Sequence, residues 1–86
     1  MKTKLVVLGK HFTERIYIDD IDYIQEVSSD ANGKPKVKLQ IQNDSGGGYY
    51  DTFILFSGES NKDEFLRQVQ CLMCNPTGAV HYFELI

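Results

Sequence analysis

The stretch from Tyr49 to Phe56, YYDTFILF, constrains this chain most, because it is apolar on both faces of an extended strand. Side chains alternate across a strand. Tyr49, Asp51, Phe53 and Leu55 therefore share one face, and Tyr50, Thr52, Ile54 and Phe56 share the other. Only one segment of the chain has the periodicity of a helix that can cover either face. The second face calls for a curled sheet, a second copy of the protein, or a partner.

At 86 residues the chain is read as a single domain, 1–86. A chain of this size buries roughly 60–65% of the surface that its unfolded form exposes, so its core is thin. Charged residues make up 24% and hydrophobic ones 42%, an ordinary balance for a folded globular domain and not for a disordered tail. The net charge of −3 argues against a general nucleic-acid binder, since such domains run strongly basic. The apolar run near the start, Leu5 to Leu8, is shorter than the core of a signal peptide. No stretch approaches the roughly 20 apolar residues that a membrane span needs. Two cysteines without a secretory signal fit a reducing compartment, so the expectation is a cytoplasmic protein that does not associate with membranes.

Strands are expected over 3–8, 14–18, 36–42, 49–56 and 79–85. The second is interrupted by Asp19 and Asp20 and resumes over 22–27. Ile21 and Ile24 are three apart, which breaks strict alternation and predicts a bulge or tight corner with an Asp side chain bonding local amides. Turn formers crowd 28–35, SSDANGKP, where Asn32-Gly33 signals a hairpin and Pro35 lengthens the loop. Strand 36–42 alternates cleanly, with Val37, Leu39 and Ile41 opposed to Lys36, Lys38, Gln40 and Gln42, the pattern of one buried and one wet face. NDSGGG, 43–48, leads into YYDTFILF.

A helix is expected from Asn61 or Ser60, either able to cap, with Glu64 placed to complete a capping box. Phe65, Leu66, Val69, Leu72 and Met73 fall on one side of its wheel. Pro76 ends it near Cys74. The resulting fold class is α+β: a five-stranded antiparallel meander in the order β-β-β-β-α-β, curled or partly barrel-like, with one amphipathic helix packed on one face. One helix shields about two or three strands. Leaving four aromatic side chains in water would forgo about 1.5–3 kcal/mol each, which rivals the stability of a small domain.

Several motifs invite chemistry. Cys71 and Cys74 form a C-x-x-C, read as a redox or metal motif in the third-ranked function, a small redox or metal protein. They sit at the C-terminal end of the helix, where its dipole opposes a thiolate, and zinc needs about four ligands. A structural place under the C-terminal segment is the simpler reading. Gly46, Gly47 and Gly48 run into a strand, unlike a phosphate-binding loop, which runs into a helix. Asp19, Asp20 and Asp22 lack the glycine and distal glutamate of a calcium loop. His11 and His81 have no nucleophile at a recognisable spacing. No catalytic residue, metal ligand or cofactor is assigned, and the chain is read as a non-enzyme.

The run ERIYIDDIDYIQEV, then PKVKLQIQ, TFILF and DEFLRQVQCL, resembles the later half of pleckstrin-homology-like domains over about half the chain. That resemblance implies meander strands leading into one amphipathic helix. It departs at AVHYFELI, which follows the helix here, and no ligand site is carried over.

The functional expectation is a small non-enzymatic interaction module acting through an aromatic sheet face or edge at Tyr49, Tyr50, Tyr82 and Phe83. Its partner is another protein or a second copy of itself, because tyrosine and phenylalanine are enriched in interface cores. The alternative is single-stranded nucleic-acid binding through Lys34, Lys36 and Lys38 beside Tyr49 or Tyr50, where charge and stacking combine.

Overall fold

The computed structural model describes residues 1–27, 31–43 and 46–85. Residues 28–30 and 44–45, parts of the two expected loops, lie outside the described residues. Among the described residues six strands and one α-helix form: β1 (Lys4–Leu8), β2 (Thr13–Tyr17), β3 (Ile21–Val27), β4 (Lys36–Gln42), β5 (Tyr49–Leu55), α1 (Glu59–Cys74) and β6 (Val80–Glu84).

The strands do not make the single curled meander expected from the alternation. They divide into two three-stranded sheets, ordered β2-β1-β6 and β3-β4-β5, and neither closes into a barrel. The division falls where a single interrupted strand was expected. Ile18–Asp20 form one 3-10 turn between β2 and β3, which takes the chain out of the first sheet and into the second. Its entry is tied to the start of the chain, for the Ile18 N–H donates to the Thr3 carbonyl at 2.8 Å. Just beyond it the β3–β4 register shifts between Ile21 and Tyr23, leaving Asp22 as the extra residue of a bulge. The expected break in alternation is therefore both a corner and a bulge. The Asp19 side chain bonds a distant amide, that of Thr3, and not a local one.

The last strand departs from the expectation in direction. β6 lies beside β1 and runs parallel to it, with Leu5 facing His81 and Val7 facing Phe83. Helix α1 carries the chain from β5 back to the first sheet, the last part of the long connection that a parallel pair requires. Around the central strand β1, Leu5 and Val7 point to the core, and Val6, between Arg15 and Tyr82, is covered on the outside.

One core unites both sheets and the helix. Leu5, Val7, Ile16 and Phe83 come from the first sheet, Ile21, Val37, Leu39, Ile41 and Ile54 from the second, and Phe65, Val69 and Leu72 from α1. At its centre Phe65 stacks edge-on to Phe83 at 5.3 Å and tilted to Phe56 at 5.2 Å between ring centroids. These separations and inclinations suit the quadrupoles of aromatic rings. The helix begins at Glu59, earlier than Asn61, with Gly58 as its N-cap and no side-chain capping bond. The expected capping box is therefore not used. Leu66 is only partly buried and Met73 is exposed. Lys62 instead turns its stem to the buried side, with its ammonium bonded to Glu26 of β3 and, at 2.7 Å, to Glu59.

Candidate functional site

The apolar excess of YYDTFILF is only half absorbed by this arrangement. On the inner side Ile54 and the following Phe56 are buried, but Tyr50, at the far end of the strand, is exposed. The outer side stays open. Cross-strand partners on β4 and β5 are Lys36 with Leu55, Lys38 with Phe53, Gln40 with Asp51 and Gln42 with Tyr49, all on the outer face. β3 adds Tyr23 beside Gln40 and Gln25 beside Lys38. Phe53 and Tyr49 are more than half exposed, at 54% and 57%.

The lysines of this face are arranged around its rings. The Lys36 ammonium lies 5.4 Å from the centroid of Phe53 and that of Lys38 lies 5.5 Å from the centroid of Tyr23, within the range of cation–π attraction. Lys38 also faces Asp51 at 4.0 Å. A hydrogen bond with Tyr23, chiefly, and the Asp51 carboxylate hold the Lys38 ammonium above the ordinary lysine value, against the opposing effect of burial. Lys38 therefore remains charged across the physiological range.

The four aromatic residues expected to act together do not form one patch. Tyr49 is on the outer face of the second sheet and Tyr50 on its inner side. Tyr82 stands exposed on the outer face of the first sheet, near Val6. Phe83 is only 7% exposed and belongs to the core aromatic cluster. Of the three lysines, Lys36 and Lys38 join Tyr49 on one face, while Lys34 is exposed in the loop before β4. The structure instead adds Tyr23, Phe53 and Leu55. Phe53 and Leu55 were readable as neighbours of Tyr49 from alternation alone. Tyr23 was obscured by the bulge at Asp22, which moves it by one position in the pattern.

The remaining motifs have structural places. Both cysteines are free and exposed, so the C-terminal segment does not cover them. Cys71 lines a small groove with Glu64, Arg67, Gln68, Leu72 and His81, and the His81 Nε2 is 2.6 Å from the Thr77 hydroxyl. Asp20 receives Lys2 at 3.1 Å, and Asp19 receives the Thr3 amide at 2.7 Å. Gly47 and Gly48 both take positive φ angles, +72° and +80°, in the turn before β5, closed by the Asn43 N–H on the Gly48 carbonyl at 2.9 Å. Among the described residues no group of three or more His, Cys, Asp and Glu side chains converges to hold a metal ion. Among them, too, no helix is long and apolar enough to cross a membrane.

The chain is thus a small α+β domain with a buried aromatic cluster and an exposed aromatic sheet face. Comparison with known proteins finds no matching family model, no matching curated protein and no matching solved structure.

Proposed function

We propose that the protein is a non-enzymatic interaction module of the cytoplasm, and that it binds a protein partner, either another protein or a second copy of itself, through the exposed surface of β3–β4–β5. One observation carries this reading: Tyr23, Tyr49, Phe53 and Leu55 stand exposed on a single face of one sheet. Contiguous exposed apolar surface rimmed by polar groups marks interaction sites on small domains. The chemistry of the face suits a protein ligand. Its rings give large contact area at small cost in side-chain entropy, and Lys36, Lys38 and Asp51 offer charges of both signs at its middle. A reducing compartment is consistent with two exposed thiols left unpaired.

Selection from a library of random peptides displayed on phage tests the reading. Peptides selected on the wild-type protein are expected to lose at least about tenfold in affinity on a Phe53→Ser variant. Undiminished binding to Phe53→Ser, or a selection that yields no binder, would refute it.

A second reading rests on the way Lys36 and Lys38 interleave with Tyr23, Tyr49 and Phe53 on an open sheet face. Such a surface can stack unpaired bases and attract their phosphates. Lys38 is already engaged by Asp51 and Tyr23, however, and the net charge is −3. Fluorescence anisotropy with a short labelled oligonucleotide at low salt separates the two readings. Salt-sensitive binding at tens of micromolar supports this one, and its absence removes it.

A further inference from the structure

The same sheet ends in an edge whose hydrogen-bonding groups are all arranged for another strand. Among the described residues β4 is the one strand paired with β5, so β5 forms the border of its sheet. Its outward groups follow from the ladder. In an antiparallel pair, bonded and non-bonded residue pairs alternate. The Phe56 N–H donates to Pro35 at one end of the β4–β5 ladder, and the Asn43 N–H donates to Gly48 at the other. Counting inward by twos from either end reaches the same set: Tyr50, Thr52 and Ile54 bond to β4. Tyr49, Asp51, Phe53 and Leu55 therefore turn their N–H and C=O groups outward. Among the described residues nothing bonds to those groups.

The other three edges carry devices against pairing. β2 holds Glu14 and Arg15, β3 holds Asp22, Glu26 and a bulge, and β6 is short, with its Tyr82 carbonyl 3.5 Å from the Gln68 amide. Charges, bulges and short length are how natural sheets blunt an edge. β5 is seven residues long with one charge, Asp51.

We propose that β5 pairs antiparallel with β5 of a second copy about a two-fold axis at Thr52, joining two three-stranded sheets into one continuous sheet. This inference rests on the proposed binding role of the β3–β4–β5 surface and names its partner. This register gives every outward residue of each strand a facing partner. Tyr49 meets the partner's Leu55 and Asp51 meets the partner's Phe53, and symmetry repeats both pairs. Four facing pairs at two bonds each give about eight new backbone hydrogen bonds. Sliding by one bonded pair in either direction leaves three facing pairs, and one of those registers sets Asp51 directly against the partner's Asp51. Like charges directly opposite disfavour pairing. In the centred register the two Asp51 residues are diagonal neighbours, each with Lys38 at 4.0 Å. Tyr49 beside the partner's Leu55 is an aromatic–aliphatic pair of the kind that stabilises sheets.

A single pair of seven-residue edges makes a small interface, so the dimer is a weak, reversible one. Sedimentation velocity of the full chain over about 10 μM to 1 mM tests it, the range in which such small interfaces dissociate. Wild type is expected to convert from monomer to dimer within this range. Phe53→Glu, which sets a second carboxylate directly opposite the partner's Asp51 without removing a bond to β4, is expected to weaken the dimer at least about tenfold. Asp51→Asn, which removes the diagonal repulsion, is expected to tighten it about twofold to fivefold, a gain that unfolding cannot imitate. A wild type that stays monomeric throughout, or a dimer indifferent to both substitutions, overturns the proposal. If that monomer still binds displayed peptides in a Phe53-dependent way, the surface is a binding face for other proteins and only the second copy is refuted. If it binds none, the functional reading falls with it.

Discussion

The Asp19 carboxylate accepts the backbone N–H of Thr3 at 2.7 Å, and Thr3 is itself fully buried. Thr3 makes two further bonds: its carbonyl takes the Ile18 N–H at 2.8 Å, and its hydroxyl takes the Gly78 N–H at 2.8 Å. One residue thus ties the start of the chain to the corner between the sheets and to the turn before β6. Thr3→Val keeps the shape and deletes the acceptor for Gly78. It is expected to lower stability by about 1–3 kcal/mol in urea denaturation, because a polar group is left without its partner. An unchanged midpoint would show that water replaces the bond.

Lys62 should make stability depend on alkaline pH. Its bond to Glu26, then its bond to Glu59, holds the ammonium well above the ordinary lysine value of 10.5, with burial opposing. A group whose value is raised on folding stabilises fully below its unfolded value, and that contribution is lost as pH rises through the folded one. The stability gap between wild type and Lys62→Met is therefore expected to be constant below about pH 10 and to narrow above it. Urea midpoints measured from pH 8 to about 11.5 check this. A gap that widens with alkali would contradict the ion pair.

The three stacked rings set the largest single cost. Phe65→Ala removes the ring that touches both Phe56 and Phe83 and is expected to destabilise by about 3–5 kcal/mol. Phe65→Leu, which refills much of the volume, should cost less than half as much. Tyr82→Ala, one position from Phe83 but on the exposed outer face, is expected to change stability by less than about 1 kcal/mol. Thermal denaturation of the three variants distinguishes core from surface along one strand.

Gly9 closes the β1–β2 turn, donating its N–H to the Phe12 carbonyl at 2.8 Å. A methyl group there would meet the Phe12 ring. That ring is about half exposed and can swing away, so Gly9→Ala is expected to cost less than about 1 kcal/mol. A larger loss, read from the urea midpoint, would mean that the ring holds the turn.

Cys71 and Cys74 both face solvent on the last turns of α1. Both are expected to react with a thiol reagent in the folded protein nearly as fast as in urea, without a slow phase. A protected thiol would show that the segment after the helix packs over it.

Much of the secondary structure is legible in the sequence because alternation and helical periodicity are local. Val37, Leu39 and Ile41 announce β4 to the residue, and Phe65, Val69 and Leu72 mark the buried side of α1. Alternation also determines that Tyr49, Phe53 and Leu55 share a face with one another. It cannot determine which strand pairs with which, or in which direction. The corner between the two sheets is tied by the Asp19 bond to Thr3, between residues sixteen apart, and the parallel β1–β6 pair brings together strands from opposite ends of the fold. Only tertiary structure could separate Tyr82 from Phe83, since adjacent strand residues point oppositely and the packed side is chosen by Phe56 and Phe65. The same holds for the outward row of β5, whose bonding sense is dictated by where β4 already sits.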